Sequence, residues 1–265
     1  MTSGSLIAIG TGIRLLVQIT PEARAYIEEA DKLLFGVADP LTAICLTKLN
    51  PNAESLHSFY EIGKDRLTTY FEMVERILAC VREGLKVCVV FYGHPGVFVN
   101  PSHEAIKRAR LEGFKAKMLP GISAEDCLFA DLGVDPAITG CQSFEATYFL
   151  VYKPKFDTSS SLILWQFNIT GDYSYNPEVN ISRGLPILIE YLQEHYDPEH
   201  EVIIYKAAQY PVCEPIIQRL PLSKVPEAQD IQMSTLYIPP NAPPSPDIKM
   251  IERLGIPFPI IDEPT

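Results

Sequence analysis

The sequence predicts an α/β protein built from two subdomains, and three observations carry that expectation. Apolar runs of strand length alternate with amphipathic helical stretches from Leu6 to Leu119, the pattern of a mostly parallel sheet covered on both faces. Leu85–Phe91 is apolar but for Lys86, as in a strand buried on both sides, and it breaks directly into Tyr92-Gly93-His94-Pro95-Gly96-Val97-Phe98. Beyond Pro120-Gly121 strand and turn signals grow denser. The second half therefore reads as a mixed sheet, with a boundary near residue 119.

Taken in order, Leu6–Gly10 is the first strand. Thr20-Pro21-Glu22 opens a helix, with a side-chain cap, proline at the first helical position and an acid in the first turn. Lys32–Val37 is the second strand, and Asp39-Pro40 starts the next helix. From about Asp65 a long helix carries Leu67, Tyr70, Val74, Ile77, Leu78 and Val81 at helical spacing and stops at Gly84. After Leu85–Phe91 come the helix Asn100–Glu112, closed by Gly113, and the strand Phe114–Leu119. In the second half Ser123-x-x-Asp126 forms a capping box for a helix ending at Gly133. Strands are predicted at Tyr148–Lys153, Leu162–Ile169, Val202–Ala207 and Ser234–Pro239, with a helix around Leu185–His195. From Pro239 onward eight residues are proline, so 241–265 reads as an extended tail with one helical turn at Asp247–Leu254.

At 265 residues and 47% hydrophobic, the chain has ample material for a core. Its net charge of −11 weighs against nucleic acid as a partner, since phosphate binding needs clustered Lys and Arg. The acidic excess reads as a solubility feature. No apolar run approaches membrane-spanning length and no basic region precedes an apolar segment at the N-terminus, so a cytoplasmic protein is expected. The six cysteines lack C-x-x-C pairing and read as reduced core thiols. His94 and His103 lack metal-ligand spacing, so no metal is expected.

A strand that ends in a Gly/Pro turn is where open α/β sheets bind small molecules, and Gly93 and Gly96 let a ligand approach the backbone. The turn becomes informative beside Ile9-Gly10-Thr11-Gly12, Pro120-Gly121-Ile122-Ser123-Ala124 and Ser234-Thr235-Leu236. Together these four segments resemble the tetrapyrrole methylase superfamily, whose members bind S-adenosylmethionine in the cleft between two α/β domains. The departures narrow the resemblance. Porphyrin methylases carry Pro-Gly-Asp-Pro where this chain has Ile13-Arg14-Leu15, and Ser and Asp where it has Tyr92 and His94.

With Tyr60, Lys64-Asp65-Arg66, Tyr70 and Leu164-Trp165-Gln166, the chain resembles the borosin α-N-methyltransferases, from about Leu6 to Gly255. That resemblance implies S-adenosyl-L-methionine as cofactor, S-adenosyl-L-homocysteine as product, and backbone amides of a ribosomal precursor peptide as substrate. It also implies a homodimer in which each subunit closes over the other's active site. Fungal members carry the substrate peptide at their own C-terminus. Here Pro257-Phe258-Pro259-Ile260-Ile261-Asp262-Glu263-Pro264-Thr265 is too short and proline-rich for an apolar core peptide. The expectation is the split, bacterial type, acting on a precursor in trans.

An amide nitrogen is a poor nucleophile, because its lone pair is delocalised into the carbonyl. Methylating it means removing the N–H proton while stabilising charge on the carbonyl oxygen. Arg66 and Tyr70 lie four residues apart on one helix and share a face. Spacing alone favours Arg66 as surface charge and Tyr70 as helix packing. The resemblance instead makes Tyr70 the base and Arg66 the cation that lowers its pKa, with Tyr60 donating to the amide oxygen. Tyr92, otherwise a strand-end aromatic, would face the cofactor's methionine portion. His94, otherwise a turn residue bonded to backbone, becomes a cofactor contact with Val97 and Phe98. Ser123 and Ala124 begin a helix whose N–H groups suit the cofactor's carboxylate or ribose. Gln166 is assigned to adenine or ribose, and Tyr205, Ser234 and Thr235 are carried over in the same way. Two rivals remain: a methyltransferase acting on a tetrapyrrole-like small molecule, which needs no Arg66/Tyr70 pair, and a non-catalytic cofactor- or peptide-binding protein.

Overall fold

The computed structural model describes residues 4–15, 17–176 and 182–257. In chain order the first half contains β1 (Ser5–Gly10), α1 (Pro21–Glu29), β2 (Lys32–Gly36), α2 (Pro40–Leu49), β3 (Ala53–Ser55), α3 (Arg66–Arg82), β4 (Lys86–Phe91), α4 (Asn100–Leu111) and β5 (Lys115–Met118). Its five strands run in the order β3-β2-β4-β1-β5, every pair parallel. Parallel neighbours need crossover helices, and these helices cover both faces. Alternate residues of the central strands therefore enter different cores. Leu6, Ala8, Val87 and Val89 pack under Val74, Ile77 and Leu78 of α3 and Ala105 and Ala109 of α4. Ile7, Ile9, Cys88 and Val90 pack under Ala23 and Ile27 of α1 and Leu46 of α2. Each such fully buried aliphatic chain contributes about 1.5–3 kcal/mol.

The second half contains α5 (Ala124–Leu132), α6 (Pro136–Thr139), β6 (Cys141–Glu145), α7 (Ala146–Tyr152), β7 (Ser161–Trp165), α8 (Gly184–Gln193), β8 (Glu201–Lys206), β9 (Ile216–Pro221), β10 (Thr235–Ile238) and α9 (Ile248–Leu254). Its sheet runs β6-β7-β10-β8-β9, with β6 and β7 parallel and the other pairs antiparallel. Leu162, Leu164, Leu236 and Ile204 face Phe149 of α7 and Leu185, Leu188 and Leu192 of α8. Ile163, Tyr237, Ile203 and Tyr205 face Leu128 of α5.

Three expectations are corrected. Residues 148–153, rich in β-forming types, belong to helix α7 and its cap. Glu145 accepts from the Tyr148 N–H, Ala146 and Phe149 turn one face into the core, and Lys153 ends the helix in a left-handed conformation. Tertiary burial and capping override β propensity there. The strand predicted over 162–169 stops at Trp165, because Gln166 adopts φ 56° and starts a short 3-10 turn, Phe167–Ile169. On α3, Leu67 is 61% exposed, so the buried stripe starts further along, at Thr69, Met73 and Val74. The short strand β3 and the strands β6 and β9 have no clear alternation and were not expected. Of the predicted tail, 258–265 lies outside the described residues.

A short ladder and a separate main-chain hydrogen bond join the halves. Gly63 N–H donates to Tyr175 C=O, Tyr175 N–H to Lys64 C=O and Arg66 N–H to Tyr173 C=O, each at 2.9 Å. On the other side of the seam Leu15 N–H donates to Gln209 C=O at 2.9 Å.

Candidate active site

The glycine segments meet where β1 and β4 end. Gly12 and Gly93 exchange main-chain hydrogen bonds at 3.2 and 3.0 Å. The chains approach so closely that a Cβ on Gly10 would stand 1.9 Å from the Gly93 carbonyl oxygen. The β4 turn is braced from within: His94 Nδ1 accepts the Gly96 N–H at 2.9 Å, and Ser102 Oγ donates to Pro95 C=O. A Cβ on Gly96 would meet Met118 Sδ at 2.6 Å, and one on Gly121 would touch Pro95 at 3.4 Å. Three of the four quoted segments thus form one cluster. The fourth lies across the seam, where Thr235 is registered with both Trp165 and Tyr205. Phe98 reaches over to it, its ring centroid 5.2 Å from that of Trp165. Trp165 in turn donates to Ser143 Oγ at 2.7 Å.

The residues assigned to the cofactor are committed to different degrees. Val97 and Phe98 sit on the β4 turn and Ala124 begins α5, none with a side-chain hydrogen bond to give. His94 uses Nδ1 inside its own turn, as the plainer reading of it had it. Ser123 spends both its hydroxyl and its N–H on Asp126, at 2.7 and 2.6 Å, so the N–H expected to face a ligand belongs to the capping box. Burial pushes the pKa of the Tyr92 phenol up to about 12, with Gln209 beside it acting in the opposite direction. Tyr205 is only 1% exposed and donates to Asp131 Oδ2 at 2.7 Å; burial first, and Asp131 second, hold its pKa far above the ordinary value. Ser234 donates to Ile231 C=O, and Thr235 is buried at the start of β10.

Arg66, Tyr70 and Tyr60 do come together. Arg66 is the first residue of α3, after its N-cap Asp65. A cation there opposes the helix dipole, so its guanidinium needs other partners. It finds them in the second half: Nη1 donates to Gln166 Oε1 at 3.3 Å and Nη2 to the Asp172 carbonyl. Tyr60 and Tyr70 pack against the same core, close enough to interact electrostatically. Burial, then Tyr70 and Tyr175, raise the Tyr60 pKa well beyond the usual phenol range, while Arg66 pulls it down. The Tyr60 ring lies 4.5 Å from that of Tyr175 and 5.3 Å from that of His57. Tyr175, Asp172 and His57 were missed in the sequence. The only local hint was the aromatic pair in Tyr173-Ser174-Tyr175, within a polar turn. Among the described residues no three His, Cys, Asp or Glu gather as a metal site would require, and no helix is long and apolar enough to cross a membrane.

This arrangement can be set beside known proteins. The chain is 43% identical over 260 residues to a methyltransferase/ribosomally synthesized cyclic peptide gymnopeptides precursor of Gymnopus fusipes, covering 96% of this chain and 61% of that one. It is 44% identical over 249 residues to a methyltransferase/ribosomally synthesized type I borosin cyclic peptide precursor of Coprinopsis marcescibilis, covering 91% and 63%. The chain thus spans 61% and 63% of the length of these two relatives. Both are fungal, and a bacterial origin finds no support in them. Among solved structures, uroporphyrin-III-C-methyltransferase from Thermus thermophilus shares the fold with a TM-score of 0.64 over 95% of this chain and 96% of that one, at 16% identity. The family model for Tetrapyrrole (Corrin/Porphyrin) Methylases matches residues 5–222, and the chain belongs to that family.

Proposed function

We propose that this protein transfers methyl groups from S-adenosylmethionine to backbone amide nitrogens of a peptide. The observation that carries the reading is the clustering of Tyr60, Tyr70 and Arg66 at the seam of the two halves. Methylation of a ring carbon has no need of two phenols and a cation, whereas an amide needs a proton acceptor and an oxyanion donor together. The relatives' names, which join a methyltransferase to a cyclic peptide precursor, support a peptide substrate.

The seam fits the cofactor. The Phe98–Trp165 pair offers aromatic faces suited to a purine or a sulfonium. The glycine turns pack tightly on one another and so hold the ends of β1 and β4 in place beside that pair. Tyr92, His94, Val97 and Phe98 would hold it from one half, and Ser123, Ala124, Gln166, Tyr205, Ser234 and Thr235 from the other. When bound, S-adenosylmethionine supplies an electrophilic methyl group and leaves as S-adenosylhomocysteine.

The chain's own residues do the rest. An incoming amide is received between Tyr60 and Tyr70. Tyr60, kept protonated by its burial, donates to the carbonyl oxygen as charge develops there. Tyr70 acts as a phenolate, the form a neighbouring cation such as Arg66 favours; it takes the N–H proton and becomes the neutral phenol as the nitrogen gains the methyl group. The proposal includes a homodimer and a peptide supplied in trans; the relatives' fused precursors support the peptide but not its separate supply. The test is incubation with S-adenosylmethionine and a peptide with a Val/Ile-rich C-terminus, read by mass spectrometry. Mass gains in methyl steps, located on backbone nitrogens by fragmentation, are expected. Methyl groups on side chains alone, or turnover only of a tetrapyrrole, would remove the reading.

A further inference from the structure

Two phenols can act on one amide only if their separation is fixed. Among the described residues no main-chain hydrogen bond ties 56–60 to α3. Lys64 supplies the tie. Its side chain is 17% exposed, and its ammonium donates to the Phe59 carbonyl at 3.0 Å and to the Glu72 carboxylate. Phe59 immediately precedes Tyr60, and Glu72 follows Tyr70 by two residues on α3. The Lys64 carbonyl accepts the N–H of Tyr175, whose ring packs on Tyr60. One residue is thereby bonded to the neighbour of Tyr60, to the helix turn that carries Tyr70, and to Tyr175 directly.

We propose that Lys64 is a positioning residue that sets the Tyr60–Tyr70 separation, an inference that rests on the peptide-methylation reading. As a source of stability it is a weak device. An ion pair with one partner still 40% exposed contributes little, and confining a lysine side chain costs entropy. As a spacer it is well built, because a single charged head spans two segments that nothing else in the main chain connects.

The test compares Lys64→Met, Lys64→Arg, Glu72→Gln and the exposed control Lys107→Met in the full chain. Catalysis is measured alongside the fluorine resonance of fluorotyrosine placed at position 60. Displacing reacting groups by about 1 Å can cost about 100-fold, so Lys64→Met should lower kcat by about 10- to 100-fold. Its KM for S-adenosylmethionine and its melting temperature should hold, and its resonance should move. Lys64→Arg, which keeps the charge and two donors, should restore kcat and the resonance. Should Lys64→Met fail to fold, Glu72→Gln carries the same expectation through the other arm. Wild-type kcat and an unmoved resonance in Lys64→Met overturn the proposal, as do equal losses in Met and Arg. A resonance that moves in an enzyme giving no peptide product would sustain the positioning role and sink the functional reading instead.

Discussion

Arg66 Nη1 donates to Gln166 Oε1 at 3.3 Å, joining residues 100 positions apart. Each is at a locally unfavourable place: Arg66 is a cation at a helix N-terminus, and Gln166 holds φ 56° without being glycine. Either feature costs on the order of 1 kcal/mol. Both costs fall on one hydrogen bond between the two halves, the pattern expected where a site serves chemistry at the expense of stability.

Arg66 and Tyr70 should behave as one unit. Tyr70→Phe and Arg66→Ala are each expected to lower the methylation rate by about 100-fold or more, with the double variant little worse than either single. Cofactor affinity by calorimetry should barely change. Losses that add, or that vanish at saturating cofactor, would assign both residues to packing.

Gln166→Gly separates stability from activity. Glycine relieves the left-handed strain, about 1 kcal/mol, while removing the acceptor of Arg66. The variant should melt no lower than the parent yet turn over about tenfold more slowly. A lower melting temperature with full activity would refute this account of the pair.

The close approach of the glycine turns makes a third prediction. Gly10→Ala places a carbon 1.9 Å from the Gly93 oxygen, a main-chain atom that cannot swing aside. Overpacking of this kind costs about 1–3 kcal/mol or more, and it should weaken cofactor binding as the β4 turn is pushed away. At Gly133 nothing lies within 4 Å of an added Cβ, so Gly133→Ala should cost only the left-handed strain, about 1 kcal/mol, and leave binding intact. Denaturant midpoints and calorimetry on the two variants check both statements.

Stability should also fall in acid for an identifiable reason. Arg76 grips Glu54 through two hydrogen bonds of 2.7 and 2.6 Å, and Lys32 adds a third contact at 2.7 Å. Arg76 is the main cause that lowers the Glu54 pKa from 4.5 to about 2. A carboxyl with a depressed folded-state pKa contributes stability above its unfolded value, and that contribution fades as pH drops through the folded one. The window therefore lies between pH 4.5 and about 2. Glu54→Gln should cost on the order of 1 kcal/mol at neutral pH, and its stability should decline less than the parent's across that window in denaturant titrations. Parallel curves would show that Glu54 is not responsible.

What could be read in advance divides along physical lines. Helix starts were legible because capping is local: Thr20, Asp39, Asp65, Ser123 and Asp247 each accept from an N–H within the next turn. Helix α7 was not, because Tyr148, Val151 and Tyr152 favour strands and only the burial of Ala146 and Phe149 decides otherwise. That Arg66 and Tyr70 share a helix face was legible from their spacing, but their joint role came only from the family resemblance. Tyr175 could not, since it reaches Tyr60 through a ladder between 63–66 and 173–175 that no local signal announces.

The last prediction concerns assembly. Leu67 and Phe71, 61% and 60% exposed, stand on the outer side of the helix that carries Arg66 and Tyr70. Helix α9 likewise buries Ile251 while leaving Ile248 and Leu254 open. Apolar surface of this kind is covered in a stable protein more often than it is left to water. A homodimer is therefore expected by light scattering at assay concentrations, and Leu67→Asp with Phe71→Asp should shift it toward monomer. Ending the chain after Asn241 tests the tail cleanly, because β10 is complete at Ile238 and Asn241 N–H is still bonded to Thr158 C=O. The shortened protein should keep the fold, by circular dichroism, while dimer or peptide binding weakens. A fully active monomer would reject the dimer, and a shortened chain matching its parent in mass, binding and rate would strip the tail of any role.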